Sequence, residues 1–288
     1  MLRRHKKSPI EVSKFKCSRL ISDHNNKSLI STFSSSKHPS LGAHLQRGAW
    51  HEEQNNKRAY FLVKEENKIV LYFSLQCGIL IKSHEKILRG IGHKETDDGI
   101  AYFIDNDIID VTKTIPAIEL AHFCVNDTYR NKKSEWAIYN GPFKYKVGQY
   151  CFYQYIAPLV IDIADKVGVE IIYLFCADAG DNKLFDYYSS LNFKIMDNMA
   201  CVRSEYENDL LCMIQKISDL RNFTEQFKDE KKVNAILAYL KVHKNISTGK
   251  LKEIFEINDV PVLLDKLVCQ GFVEENPTRK RSYKLKQK

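Results

Sequence analysis

The sequence predicts an α/β protein: a mixed sheet flanked by helices, followed by a small C-terminal domain of three helices and a hairpin. Three observations carry this. The run "VEIIYLFCA" is apolar without alternation, as in a strand buried on both faces. Ahead of it, "IPAIELAHFCVN" and the amphipathic "VGQYCFYQYIAPLVIDIADKVG" give a strand and a helix, and strand–helix–strand order implies a parallel crossover. Beyond a polar linker at 219–230 the pattern changes to short helices with their own caps.

Taken in order, residues 1–14 are polar and read as a flexible N-terminus, and the main domain runs over 15–218. "FKCSRL" reads as a strand, and the apolar spacing of Asn26–Ser34 and Ser40–Glu53 as helices. "RAYFLVKEENKIVLYFSLQCGILIK" is two β-rich runs around a polar turn, a hairpin signature. The charged stretch at about 84–112 reads as an insertion with some helix. A strand over Ile115–Asn126 leads into the basic, aromatic loop "DTYRNKKSEWAIYNGPFKYK", and the next helix closes at Gly168. A helix over Asp181–Ser190 and strands near "NFKIMD" and "LLCMIQKI" complete the domain. In the C-terminal domain, 231–288, "KKVNAILAYLKVHK" is a helix, Ser247 caps a second, and Asn258 and Gly271 bound a third. "FVEENPTRKRSYKL" is a hairpin.

Composition excludes several classes. A chain of 288 residues, 44% hydrophobic and 28% charged, is ordinary globular material. The basic "MLRRHKKSPIEVSKF" has no apolar stretch behind it, so no secretory signal is expected. The most apolar run is broken by Pro158, Asp162, Asp165 and Lys166, which argues against a membrane span. The 8 cysteines are scattered with no C-x-x-C pair, which fits buried thiols in a reducing compartment: a cytoplasmic protein with no structural metal. Of the net charge of +8, the segment 228–288 supplies most, with 14 Lys/Arg against 8 Asp/Glu.

The chemistry gathers around Gly148. A helix start leaves backbone N–H groups unpaired, a glycine there lets phosphate oxygens approach, and Lys144 and Lys146 add positive charge. With "ELAHFCVNDTYR", "KYKVGQYCFYQYI" and "ADAGDNKLFDYYSSLNF" in that order, the region from Phe15 to Ile217 resembles the GNAT acyl-CoA-dependent N-acetyltransferases, so a GNAT-like mixed sheet is expected. The resemblance implies that the strand through Ile118–Val125 splays from its neighbour and that Phe123, Cys124 and Val125 line the pantetheine arm of acetyl-CoA, the acyl donor. It places the pyrophosphate on the loop Tyr145, Lys146, Val147, Gly148, Gln149, Tyr150. Tyr145 replaces the family's Gln or Arg, Gly148 matches, and Tyr150 replaces a small residue. The family's asparagine falls on Asp181, with Asn182 one place late. "YSSLNF" makes Tyr188 the general acid toward the departing sulfur, with Asn192 at the family's glycine and Tyr187 where an apolar packing residue sits. For the proton on the amine, Glu119, a water chain and His122 are the candidates, Glu119 slightly ahead. An odd spacing on a strand puts Glu119 and His122 on opposite faces.

The acceptor is a protein amine, a small-molecule amine or aminoacyl-tRNA. The last rests on a loose similarity of "HLQRGAWHEEQNNKRAYFLVKEENKIVLYFSLQCG" to toxin-type members of the family. The loop around Trp136, Tyr139 and Phe143 reads either as an RNA grip or as a solvated cover. The C-terminal domain resembles a winged helix–turn–helix, with Lys266 on the reading helix and Arg279, Lys280 and Arg281 on the wing as nucleic-acid contacts. Sequence-specific DNA binding, nonspecific nucleic-acid attachment and protein docking all remain open, as does homodimerisation. The alternative to an enzyme is an acyl-CoA-sensing transcription regulator with weak or lost catalysis.

Overall fold

A computed structural model describes residues 15–82, 92–96, 99–104, 107–108, 114–130, 143, 145–177, 182–196, 199–201, 210–243, 245–255, 260–275 and 282–286. The chain forms two compact units, one of residues 14–131 with 147–224, the other of 1–13, 132–146 and 225–288.

The larger unit is a mixed sheet. Its first strand, β1 (Phe15–Arg19), pairs antiparallel with β2 (Ala59–Glu65), and β2 with β3 (Lys68–Lys82) across a turn where Glu66 takes a left-handed φ of 52°. Between β1 and β2 lie three short helices, α1 (Asn26–Leu29), α2 (Pro39–Arg47) and α3 (Ala49–Gln54). Leu20, Ile30, Phe33, Leu45 and Ala49 from this segment bury against Tyr60, Leu62, Ile69 and Tyr72 of the hairpin, which closes one side of the sheet.

The stretch read as an insertion with some helix differs from expectation. Its described residues form a separate antiparallel sheet of β4 (Gly92–Thr96), β5 (Gly99–Ile104) and β6 (Asp107–Ile108). Gly-bounded runs of β-formers such as "GIAYFI" outweigh the charge pattern.

Next comes β7 (Thr114–Val125), antiparallel to β3 along its length, then α4 (Asp127–Arg130). From Val147 the chain is helical to Val167: α5 (Val147–Cys151), a π-wound stretch (Phe152–Ile156) and α6 (Ala157–Val167), stopped by Gly168 at φ 74°. Then β8 (Ile171–Cys176) runs parallel to β7, as a crossover requires. Helix α7 (Lys183–Ser189) follows, then β9 (Lys194–Ile195), β10 (Met199–Cys201) and β11 (Leu211–Lys216). The sheet order is β1-β2-β3-β7-β8-β11-β9, with β10 on the far end of β3.

Helix α8 (Ile217–His243) is continuous through the stretch read as a linker, 219–230. That stretch is polar, but it contains no Gly or Pro, and Leu220, Thr224 and Phe227 recur at helical spacing on a buried side. In the smaller unit β12 (Asn245–Ser247), α9 (Thr248–Phe255), α10 (Val260–Cys269), β13 (Val273–Glu275) and β14 (Ser282–Leu285) follow. The Ser247 hydroxyl accepts from the Lys250 N–H at 3.3 Å, an N-cap bond. Strands β12, β14 and β13 form a small sheet, and Val233, Ile236, Leu240, Leu251, Leu264 and Leu267 form the unit's core.

Candidate functional site

Strands β7 and β8 pair at three positions only: Ala117 with Ile171, Ile118 with Ile172, Glu119 with Tyr173. Beyond them the pairing of β7 with β8 does not continue along Leu120–Val125 and Leu174–Cys176. Parallel strands held together at one end and parted at the other leave backbone N–H and C=O groups open to an extended ligand.

The parting coincides with a β-bulge. Ser74 faces His122 and Leu75 faces Leu120, so Ala121 has no counterpart on β3. An extra residue reverses the alternation of side chains beyond it. Glu119 and His122 therefore share one face, contrary to the opposite faces their odd spacing implied. The Glu119 carboxylate accepts from Gln76 Nε2 at 2.6 Å, and His122 Nδ1 lies 2.7 Å from Ser74 Oγ; Ser74 and Gln76 are two apart on β3.

On this face Glu119 is 6% exposed and also accepts from the Tyr173 hydroxyl at 3.0 Å. The Tyr173 ring crosses so close over Gly78 that a Cβ there would collide with it. Gln76 Oε1 takes a hydrogen bond from Arg58 Nε at 2.5 Å. His122 stacks on His44 of α2, ring centroids 4.5 Å apart and 11° from parallel. His44 Nε2 is 2.8 Å from the Tyr60 hydroxyl, which donates to Glu52 Oε2 at 2.6 Å. Burial, and then the charges of His44 and Arg58, pull the His122 pKa down to about 3, so the ring is neutral.

Phe123 and Val125 lie on the opposite face, toward α5 and α7. The Phe123 ring is near Phe152, Tyr187 and Tyr188, with centroids at 6.3, 6.1 and 6.4 Å. Cys124 points away from them into the core beside Ser35, so only its backbone faces the gap. Tyr188 is 7% exposed, packed between Phe123 and Phe193, and burial raises its pKa, so the phenol keeps its proton. Asn192 holds φ 68°, a left-handed conformation asparagine tolerates, and donates to the Tyr153 hydroxyl at 2.9 Å.

The neighbouring Tyr187 is not simple packing. Its hydroxyl is buried, has no hydrogen-bond partner, and sits so close over Gly148 that a Cβ on that residue would strike it. Val125 Cγ2 lines the same spot. Arg130, at the end of α4, acts electrostatically on this hydroxyl. Its Nη2 donates to the Val125 carbonyl at 2.7 Å; its Nη1 is buried, 3.6 Å from the Asp127 carboxylate and without a hydrogen bond. The Tyr187 hydroxyl, over the first turn of α5, and Arg130 Nη1 are thus two buried donors with unused capacity, linked electrostatically. Arg130 had not been singled out from the sequence, and Tyr187 had been read as sitting at a packing position. The signal was the position of Arg130, five residues past Val125 at the mouth of the basic loop.

The remaining loop positions divide. Val147 and Tyr150 are buried, with Tyr150 edge-on to Phe15, so that ring packs inward instead of facing a ligand. Gln149 Nε2 donates to Ser190 Oγ at 3.0 Å, and Lys146 is exposed. Asn182, exposed with φ 53°, precedes α7 without a side-chain cap bond. Tyr145 belongs with the smaller unit: its hydroxyl donates to Glu230 and its ring meets Phe227 edge-on at 5.0 Å. The nearby Phe143 backbone exchanges hydrogen bonds with the Asn234 side chain at 3.4 and 2.9 Å. A phenol engaged by a carboxylate is not offered to a phosphate. Lys266 is exposed on α10, while Lys144, Asp181, Arg279, Lys280 and Arg281 lie outside the described residues. Among the described residues no group of His, Cys, Asp and Glu is arranged to hold a metal, and no helix is long and apolar enough to cross a membrane.

No family model and no curated protein matches the chain. Among solved structures, AtaTR bound with acetyl-CoA is 13% identical, covering 73% of this chain and 98% of that one at a TM-score of 0.47. AtaT complexed with acetyl-methionyl-tRNAfMet is 12% identical over 73% and 98%, at 0.43, and the KacTA–DNA complex 9% identical over 74% and 99%, at 0.45. Likeness of this order leaves the site to be argued from its own residues.

Proposed function

We propose that the larger unit is an N-acetyltransferase that moves an acetyl group from acetyl-CoA to a primary amine. The observation that carries this reading is the parting of β7 from β8 after Glu119 and Tyr173, with Tyr187 and Tyr188 of α7 on one face and the polar side chains of Ser74, Gln76, Glu119 and His122 on the other. The residues fit the donor. Open backbone on Phe123–Val125 suits an amide-bearing arm, and the unpaired Tyr187 hydroxyl at the α5 helix start, with the Arg130 charge acting on it, suits a pyrophosphate. Acetyl-CoA supplies the activated acyl carbon. The protein's part is to hold the arm straight, to place hydrogen-bond donors near the carbonyl oxygen, and to give the departing sulfur a proton from Tyr188.

The acceptor is an amine of a protein, a small molecule or aminoacyl-tRNA. The basic smaller unit is proposed to attach to nucleic acid or a protein partner as a winged helix, through Lys266 and the wing residues Arg279, Lys280 and Arg281. A second reading, an acyl-CoA-sensing regulator, is favoured by one observation: Tyr145, on the expected phosphate loop, is engaged by Glu230. Thiol release from acetyl-CoA, followed against panels of amines, decides between them. Turnover on any acceptor supports the enzyme; tight acetyl-CoA binding with none supports the sensor.

A further inference from the structure

We infer that His122 is the group that takes the amine's proton, with His44 as its positioning residue. The inference rests on the acetyl-transfer reading and goes further by assigning the acceptor side of the same site.

Glu119, slightly favoured from sequence alone, is poorly placed for the task. It is 6% exposed, and one of its oxygens already accepts from both Gln76 and Tyr173. Those bonds fasten the last paired rung before β7 and β8 part, which is a structural duty. His122 lies just beyond that rung, next to the bulge. Its Nδ1 is fixed by Ser74 at 2.7 Å, and its Nε2 has no hydrogen bond to any described residue. The bulge turns this ring onto the polar face, beside the parted strands.

The ring's orientation comes from His44. That imidazole stacks on it at 4.5 Å and is itself tied to Tyr60, whose hydroxyl donates to Glu52. The groups facing His122 are His44 from α2, Arg58 just ahead of β2, Tyr60 from β2, and Tyr72 and Ser74 from β3, with Glu52 of α3 behind them against His44, Arg58 and Tyr60. Arg58, whose charge acts on the ring, is held 3.5 Å from the Glu52 carboxylate. This arrangement keeps the imidazole neutral.

A base this weak takes no proton from a free amine. As the N–C bond forms, however, the nitrogen becomes cationic and strongly acidic, and a neutral imidazole then suffices. The balance is complete: the amine lone pair makes the N–C bond, the N–H proton passes to Nε2, the C–S bond breaks, and the sulfur takes the Tyr188 proton. Water then carries the proton from His122 and restores Tyr188. Amine and thioester become amide and thiol.

The test uses the full chain, acetyl-CoA and a panel of primary amines of graded basicity, with thiol release as the readout. His122→Gln is expected to lower kcat about 100-fold with acetyl-CoA affinity within about twofold, and His122→Gly to recover about tenfold on adding imidazole. His44→Phe, which keeps the base and removes a neighbour that lowers the His122 pKa, should cost about tenfold and move the acid limb of kcat/KM to higher pH. His122→Gln within about threefold of the parent overturns the inference. So does His122→Gly that binds acetyl-CoA normally but gains nothing from imidazole. A parent silent on every amine removes the transfer reading, and this inference with it. An active parent indifferent to His122 removes the inference alone.

Discussion

Two tyrosines stand side by side on α7, and their hydroxyls meet different fates. Tyr188 is packed in aromatic surroundings that keep its phenol protonated, as a proton donor to sulfur needs. Tyr188→Phe should lower turnover about 10–1000-fold with acetyl-CoA affinity nearly unchanged, read from steady-state kinetics and titration. Tyr187 presents an unpaired buried hydroxyl, a state that costs about 1–3 kcal/mol. Tyr187→Phe should therefore raise the unfolding temperature of the ligand-free protein and weaken acetyl-CoA binding about 3–10-fold. Thermal melts with and without acetyl-CoA separate the two effects. If Tyr187→Phe instead removes turnover and Tyr188→Phe does not, the roles are exchanged. The expectation for Tyr188 was drawn from the order "YYSSLNF", because a tyrosine five residues before a phenylalanine is a chain pattern. The role of Tyr187 was not legible. It depends on Gly148, 39 residues earlier, leaving space for a hydroxyl that finds no partner.

At the scale of elements, most strands and helices around the site were legible because each carries its own period: alternation in the β2–β3 hairpin, helical spacing in α6, an apolar run in β8. The bulge was not. Nothing local in "ELAHFC" says that Ala121 lacks a cross-strand partner, since register depends on pairing with β3. That one missing partner decides whether Glu119 and His122 can act together, so the face assignment failed where the strand assignment held. An ion pair joins the elements on this side: Glu53 of α3 is fully buried and accepts from the half-exposed Arg19 Nε at the end of β1, 2.8 Å away. Burial raises the Glu53 pKa above the ordinary carboxylate value, with Arg19 opposing. Arg19→Met removes the opposing charge and should destabilise the fold by about 1–3 kcal/mol at neutral pH, less than for a fully buried pair because Arg19 is half-exposed. The sign with pH follows from linkage. A carboxyl whose folded pKa lies above its unfolded value binds more protons when folded, so stability falls as pH rises between the two. Denaturant melts of Arg19→Met should therefore show a larger deficit at pH 8 than at pH 5. Arg19→Met with Glu53→Gln should flatten that dependence, and equal deficits at both pH values would count against it.

At the scale of the whole molecule, the second unit was visible in the sequence as a change of pattern after about residue 230. The linker was misread because polarity was taken for irregularity, when 219–230 keeps the apolar spacing of a helix without Gly or Pro. What the smaller unit binds is an electrostatic question. The surplus of basic residues lies in 228–288, and the residues assigned to a wing, Arg279–Lys280–Arg281, are three consecutive cations. If these meet backbone phosphates, each contact releases counterions, and the logarithm of affinity falls with the logarithm of salt by about 0.9 per phosphate. The full chain titrated onto a mixed-sequence duplex from about 50 to 200 mM salt should show a slope of at least about three contacts. Replacing Arg279, Lys280 and Arg281 with Ala should reduce that slope by about two to three while leaving acetyl transfer by the larger unit intact. Lys266→Ala should take away about one contact more. A shallow slope in the parent, below about two phosphates, points instead to a surface that docks protein. In that case the exposed Val262 and Val268 of α10, at 69% and 41%, become the residues to change next.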